Sequence, residues 1–165
     1  MRATTTLYAS GICLLAAAMA AGTRNHSWFE ARTSGAATLT LNGPAEFGSV
    51  VEPDAAGRFV LTLGAESPTG AVLFTRPALS RPEPGVYQLA SDAPGAVRAL
   101  VVTGPPTRPT GAFSARGGTL TITASRDDFI AGHFDIDAAG YEAADPEDEG
   151  KTLRVRGTFT AAPGH

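Results

Sequence analysis

The chain has 165 residues, 43% of them hydrophobic, with a formal net charge of −3 and a pI of about 5.5. That length suits one domain with its own core, and that hydrophobic share excludes disorder throughout. With one lysine, Lys151, and arginines that form no dense cluster, the acidic balance argues against nucleic acid as a partner.

The first residues read as a targeting segment. Met1 and Arg2 give a short positive start, and Leu7 to Met19 is apolar. Ala18-Met19-Ala20 satisfies the small-x-small rule, which predicts a signal peptide over 1–20 with cleavage after Ala20, or after Ala21 or Gly22. The apolar run is short for a membrane span, so no span is expected after cleavage; a retained anchor is the alternative. The only cysteine, Cys13, lies inside this run and would leave with it. Ile12 occupies the place where a lipidated cysteine needs a small residue, which argues against a lipid anchor. Without cysteine the mature chain has no disulfide, and its stability rests on packing. Removing 1–20 takes away Arg2 and no acid, moving the formal charge from −3 to −4.

Residues 21–35 read as an N-terminal linker or a short first strand, and 36–162 as a single β domain. The pair Trp28-Phe29 is expected to plug one end of the core, with an exposed binding aromatic as the alternative. Ala37 to Asn42 alternates, with Leu39 and Leu41 assigned to one face. Asn42-Gly43-Pro44 is a turn. Phe47 to Val51 forms a second strand. Arg58 to Leu63 is a clear one, with Phe59, Leu61 and Leu63 inward. After a turn at Ser67 to Gly70, Ala71 to Thr75 returns. Arg76 to Gly85 holds three prolines and excludes a central strand. Pro84 to Leu89 starts a further strand, and Val97 to Thr103 follows, with Leu100, Val101 and Val102 buried or at a sheet junction. No helical period of useful length occurs after the leader.

Gly117 to Ala161 reads as a three-strand antiparallel meander. In its first strand Leu120, Ile122 and Ala124 share a face, opposite Thr119, Thr121 and Thr123. After the turn Arg126-Asp127-Asp128, Ile130, Gly132, Phe134 and Ile136 face the core, and Ala131, His133, Asp135 and Asp137 face away. In the last strand Leu153, Val155, Gly157, Phe159 and Ala161 point inward, and Arg154, Arg156, Thr158 and Thr160 outward. Gly-x-Phe recurs at Gly111-Ala112-Phe113, Gly132-His133-Phe134 and Gly157-Thr158-Phe159. Residues two apart share a face, so each glycine leaves room for a ring from a neighbouring strand.

The string TGAFSARGGTLTITASRDDFIAGHFDIDAAG, followed by TLRVRGTFTA, is similar to secreted bacterial β-sandwich and lipoprotein-like families that are uncharacterised. They share a G-T-L-T-I-T strand, a G-x-F-x-F/I strand and a final V-x-G-x-F strand. PGVYQL resembles their P-x-G-x-Y-x-L strand, lacking the spacer between Pro84 and Gly85. The match covers about a third of the chain and is structural. It implies a secreted β domain and brings no catalytic residue.

Candidate chemistry is sparse. His133, Asp135 and Asp137 alternate on one strand face, with neighbours separated by about 6.5–7 Å, too far apart for one small cation without ligands from elsewhere. Arg154 and Arg156 occupy the same face of the next strand, which predicts a solvated salt-bridge ladder; a metal or anion site is the alternative. Glu142, Asp145, Glu147, Asp148 and Glu149 form an acidic loop whose spacing does not match a helix-flanked calcium loop. His26 and His165 lie near the chain ends, a poor place for a general base. No nucleophile or zinc motif occurs, so no catalytic, cofactor-binding or metal residue is assigned and no cofactor is expected.

The expected fold is all-β, an antiparallel sandwich or flattened barrel of about eight to ten strands. The expected function is a non-enzymatic binding or interaction module of the bacterial cell envelope, exported to the periplasm or beyond. Its partner would be another envelope component. A barrel-type carrier of a small apolar ligand, with a cavity lined by Phe59, Phe74 and Phe134, is the alternative, and a hydrolase using paired carboxylates a weaker one.

Overall fold

A computed structural model describes residues 27–51, 57–89, 95–105, 107–144 and 150–164, and the expected signal peptide lies outside them. The described residues form ten strands and no helix. In chain order these are β1 (Trp28–Gly35), β2 (Thr40–Gly43), β3 (Ala45–Val50), β4 (Arg58–Leu63), β5 (Gly70–Arg76), β6 (Gly85–Gln88), β7 (Arg98–Thr103), β8 (Gly111–Ser125), β9 (Ile130–Glu142) and β10 (Lys151–Pro163).

The meander β8-β9-β10 is the spine. Its pairings run from Gly111 opposite Glu142 to Ser125 opposite Ile130, and from Lys151 opposite Gly140 to Ala161 opposite Ile130. Strands β1 and then β2 extend it beyond β10, and β6 extends it beyond β8. The antiparallel group β3-β4-β5-β7 leaves this layer through β7, on the first residues of β8, and returns through β3, at the end of β10. The β3–β10 contact is the short parallel exception: Ala162 pairs with Glu46, and Pro163 with Phe47. Two layers joined at diagonal corners make an all-β flattened barrel or sandwich.

The inward residues expected from the alternation form one core. Phe59, Leu61, Leu63, Val72, Phe74, Leu120, Ile122, Ile130, Phe134, Ile136, Leu153, Val155 and Phe159 are all buried in it. The Gly-x-Phe motifs interlock across the spine. Gly132 stands opposite Phe159, and Gly157 opposite Phe134. A Cβ at Gly157 would lie 2.7 Å from the Phe134 ring and 2.6 Å from the Ala31 Cβ; one at Gly132 would lie 3.1 Å from the Phe159 ring. Phe113 likewise faces Gly140. From the opposite layer, Phe74 meets Phe134 edge-on with ring centroids 5.4 Å apart, and Phe59 packs 6.1 Å from Phe47. Phe59, Phe74 and Phe134 thus each pack against another ring.

Several expectations are corrected. Trp28-Phe29 splits: Phe29 is buried, while Trp28 is 50% exposed on the other face of β1. Residues 28–35 are a paired strand, in line with the short-first-strand reading of 21–35. Leu39 is exposed because the strand starts one residue later, at Thr40; the Thr33 hydroxyl holds the intervening turn, donating to the Ala37 carbonyl and accepting from the Leu39 N–H. The Leu100-Val101-Val102 run stands at the expected sheet junction, where β7 pairs with β5 and β8, but strict alternation leaves only Val101 of the three buried. Ala124 is half-buried on the face away from Leu120 and Ile122. A bulge between Ile122 and Ala124 reverses the parity there.

A second bulge, between Ala115 and Gly117, explains how β8 serves both layers. Before it the inward residues are Gly111, Phe113 and Ala115; after it they are Leu120 and Ile122. Gly118 sits at φ +111, and a Cβ there would strike the Asp135 carbonyl oxygen. Glycine is required at that kink by both conformation and space.

Substitution at two glycines separates packing from backbone effects. Gly157→Ala drives a methyl into the Phe134 ring and is expected to destabilise by about 1–3 kcal/mol. At Gly117 an added methyl would meet no atom within 4 Å, and φ is not positive, so alanine is expected to be tolerated there. Its cost should stay within about 1 kcal/mol. Urea midpoints at constant slope check this; equal midpoints would remove the interlock.

Candidate functional site

The outward face of β1, β10, β9 and β8 is polar because the inner face consumes the alternate residues. Strand register aligns it in rows. Thr119, Asp135, Arg156, Arg32 and Thr40 form one row across five strands, each directly opposite the next. Thr121, His133, Thr158, Glu30 and Asn42 form the neighbouring row. Asp137, Arg154 and Ser34 form a third.

The expected salt-bridge ladder is present. Arg154 donates to both oxygens of Asp135, Nε to Oδ1 at 3.0 Å and Nη2 to Oδ2 at 2.9 Å. Arg156 donates Nε to Oδ2 at 2.9 Å. Asp137 lies 3.6 Å from Arg154 Nε. The bonds from Arg154, helped by Arg156, hold the Asp135 carboxyl below its ordinary pKa against the opposing effect of partial burial. The same bond raises the pKa of Arg154. His133 stands on this face but outside the ladder, exposed opposite Thr121 and Thr158.

Sequence reasoning misses two residues of this face. Glu30 and Arg32 belong to β1, whose alternation of buried Phe29, Ala31 and Thr33 with exposed Trp28, Glu30, Arg32 and Ser34 is visible in WFEARTSG once the segment is taken as a strand. Arg32 stands directly opposite Arg156, and its side chain has no hydrogen bond or ion pair among the described residues. Beside these two lies an open groove of about 530 Å³ over the outward face of the paired strands β1 and β10, lined by Glu30, Arg32, Ser34, Arg154, Arg156 and Thr158 among others.

The other candidates do not converge on this face. Glu142 is paired with Lys151 at 2.8 Å. Asp145, Glu147, Asp148, Glu149, His26 and His165 lie outside the described residues. Among the described residues no acidic side chain is buried, and no group of three or more His, Cys, Asp or Glu could hold a metal ion. Comparison of the chain with protein-family models, with curated proteins and with solved structures gives no match.

The ladder carries a pH signature. The folded value of Asp135 lies below the unfolded one, so its contribution is full above the ordinary aspartate range and is lost as pH falls through the depressed value. Its side chain is 36% exposed, so solvent screens the pair and the contribution is about 1 kcal/mol or less. Asp135→Asn is expected to lower the melting temperature at pH 7 and to converge with the wild type at the lowest pH. A constant difference between the two proteins from pH 7 down to about pH 2 would contradict the ladder's role.

Proposed function

We propose that the chain is an exported, non-catalytic binding module of the bacterial cell envelope and that it binds through the outward face of β1, β10 and β9. The observation that carries the reading is the row Asp135–Arg156–Arg32. One carboxylate is shared by Arg154 and Arg156, and the third cation, Arg32, faces Arg156 beside an open groove without an acid of its own. An ion ladder that served only to solvate the surface gains nothing from such an extra cation, since like charges directly opposite each other on a sheet are destabilising. Export is supported by the leader pattern of residues 1–20 and by the resemblance of the meander to secreted bacterial β families. The non-catalytic reading rests on the solvated setting of the described acids, which lack the burial that tunes a general acid or base.

Co-sedimentation of the purified protein with insoluble bacterial envelope material tests this. Wild type is expected to pellet with the material and to release no soluble fragments over time. Arg32→Glu is expected to reduce apparent affinity about tenfold, the scale of one lost charge-assisted contact. Equal pelleting of the variant, or steady release of fragments, would overturn the reading.

A further inference from the structure

We propose that the β1–β10 groove binds a carboxylate-bearing saccharide of the uronic-acid class, its carboxylate held between Arg32 and Arg156 and a sugar ring stacked on Trp28. The inference rests on the binding-module reading above and names its ligand.

Arg156 uses Nε on Asp135, and its two Nη groups have no protein partner among the described residues. Arg32 is opposite it in register and equally unpartnered. Two arginines at directly opposite strand positions that line one groove, both with Nη groups unused among the described residues, are complementary to a planar two-oxygen anion. The same face already holds a carboxylate in this way, with Arg154 gripping Asp135 through Nε and Nη2. Asp135 thus fixes Arg156 from one side and leaves its other side for ligand. The chain's acidic net charge does not oppose this at the contact, because charges beyond about 8 Å are largely screened at physiological ionic strength.

The remaining groove residues narrow the class. Glu30 is part of the lining and has no partner among the described residues. A carboxylate there repels a dianionic phosphate or a dense polyanion, but it accepts hydrogen bonds from hydroxyl groups. Ser34 and Thr158 add hydroxyls that both donate and accept. An anion flanked by hydroxyls satisfies all of these at once. Trp28 supplies an independent observation. It lies on the same outward face of β1, 50% exposed, where a residue of its size is otherwise buried. Four residues of strand place it about 13–14 Å from Arg32, in line with Glu30 between them. That span suits a short oligosaccharide, with the apolar face of one ring on the indole and the carboxylate of another at the arginines.

Trp28 is the single tryptophan of the chain, so its fluorescence reports directly on this face. Titration with a short oligosaccharide of neutral sugars carrying a single uronic acid is expected to give a saturable fluorescence change that weakens with added salt. The methyl-esterified oligomer, which keeps the hydroxyls and loses the charge, is expected to give none, and a sugar phosphate to bind more weakly. Arg32→Gln is expected to lose about tenfold in affinity while its urea midpoint stays the same or rises, since a like-charge pair has been removed. Trp28→Phe, followed by calorimetry, keeps a ring and is expected to bind more weakly with the same carboxylate dependence. Equal binding of the esterified oligomer, stronger binding of the sugar phosphate, or unchanged affinity in Arg32→Gln overturns the proposal. Absence of any binding to the acid oligomer overturns it as well; if envelope material is then still retained in an Arg32-dependent way, the ligand class falls and the binding module stands, and if not, both fall.

Discussion

The register between β9 and β10 is the constraint on which the rest depends. Gly132 faces Phe159 and Gly157 faces Phe134, so each ring occupies the space that the opposing glycine leaves empty. A slip of one residue would put both rings opposite side chains of the outer set and bring Asp135 to the wrong face. The inner interlock and the outer ladder are therefore one fact. Because Phe134 faces Gly157, Asp135 faces Arg156. Phe134 also meets Phe74 from the second layer, so the ring that sets the register is the one that ties the layers together.

β8 shows how local irregularity keeps that arrangement closed. A straight 15-residue strand has a single inward parity, but this one must cover the corner with β7 at one end and support β6 at the other. The bulge at Ala115 to Gly117 and the positive φ of Gly118 change the parity between the two halves. The Gly118 carbonyl then accepts the Leu89 N–H, which anchors the chain leaving β6. The kink and the edge strand depend on the same glycine.

Much of this is legible from residue alternation. The meander, the inward sets of β4, β9 and β10, the interlocked Gly-x-Phe motifs and the partnership of Asp135 with Arg154 and Arg156 all follow from a period of two plus turn chemistry. What alternation does not carry is parity across a bulge, which is why it puts Ala124 on the wrong face. Nor does it locate a strand's first residue, which is why it places Leu39 beside Leu41. The apolar run Leu100-Val101-Val102 reads the same whether a strand is buried on one face or two, and only pairing with β5 and β8 decides it. Arg32 is hidden for a different reason. Its significance lies in what stands opposite, and the pairing of the chain's first strand with its last is a long-range contact that no local pattern records.

That pairing also explains why Arg32 is the informative residue of the face. The β1–β10 register is set from inside, by Phe29 facing Phe159, Ala31 facing Gly157 and Thr33 facing Val155. The Cβ of Ala31 fills space beside Gly157 and the Phe134 ring, so β1 cannot slide to relieve a clash on its outer side. An arginine at position 32 is therefore held opposite Arg156 by packing that has nothing to do with charge. Glutamate at the same position would have continued the alternation of sign already running through Asp135 and Arg156 and lowered the energy of the sheet. The structure carries instead a cation whose repulsion the fold must absorb, on the open side of a ladder that holds its neighbour in place. A residue that costs stability where a better-paired one would fit is the pattern expected of a contact made outside the protein.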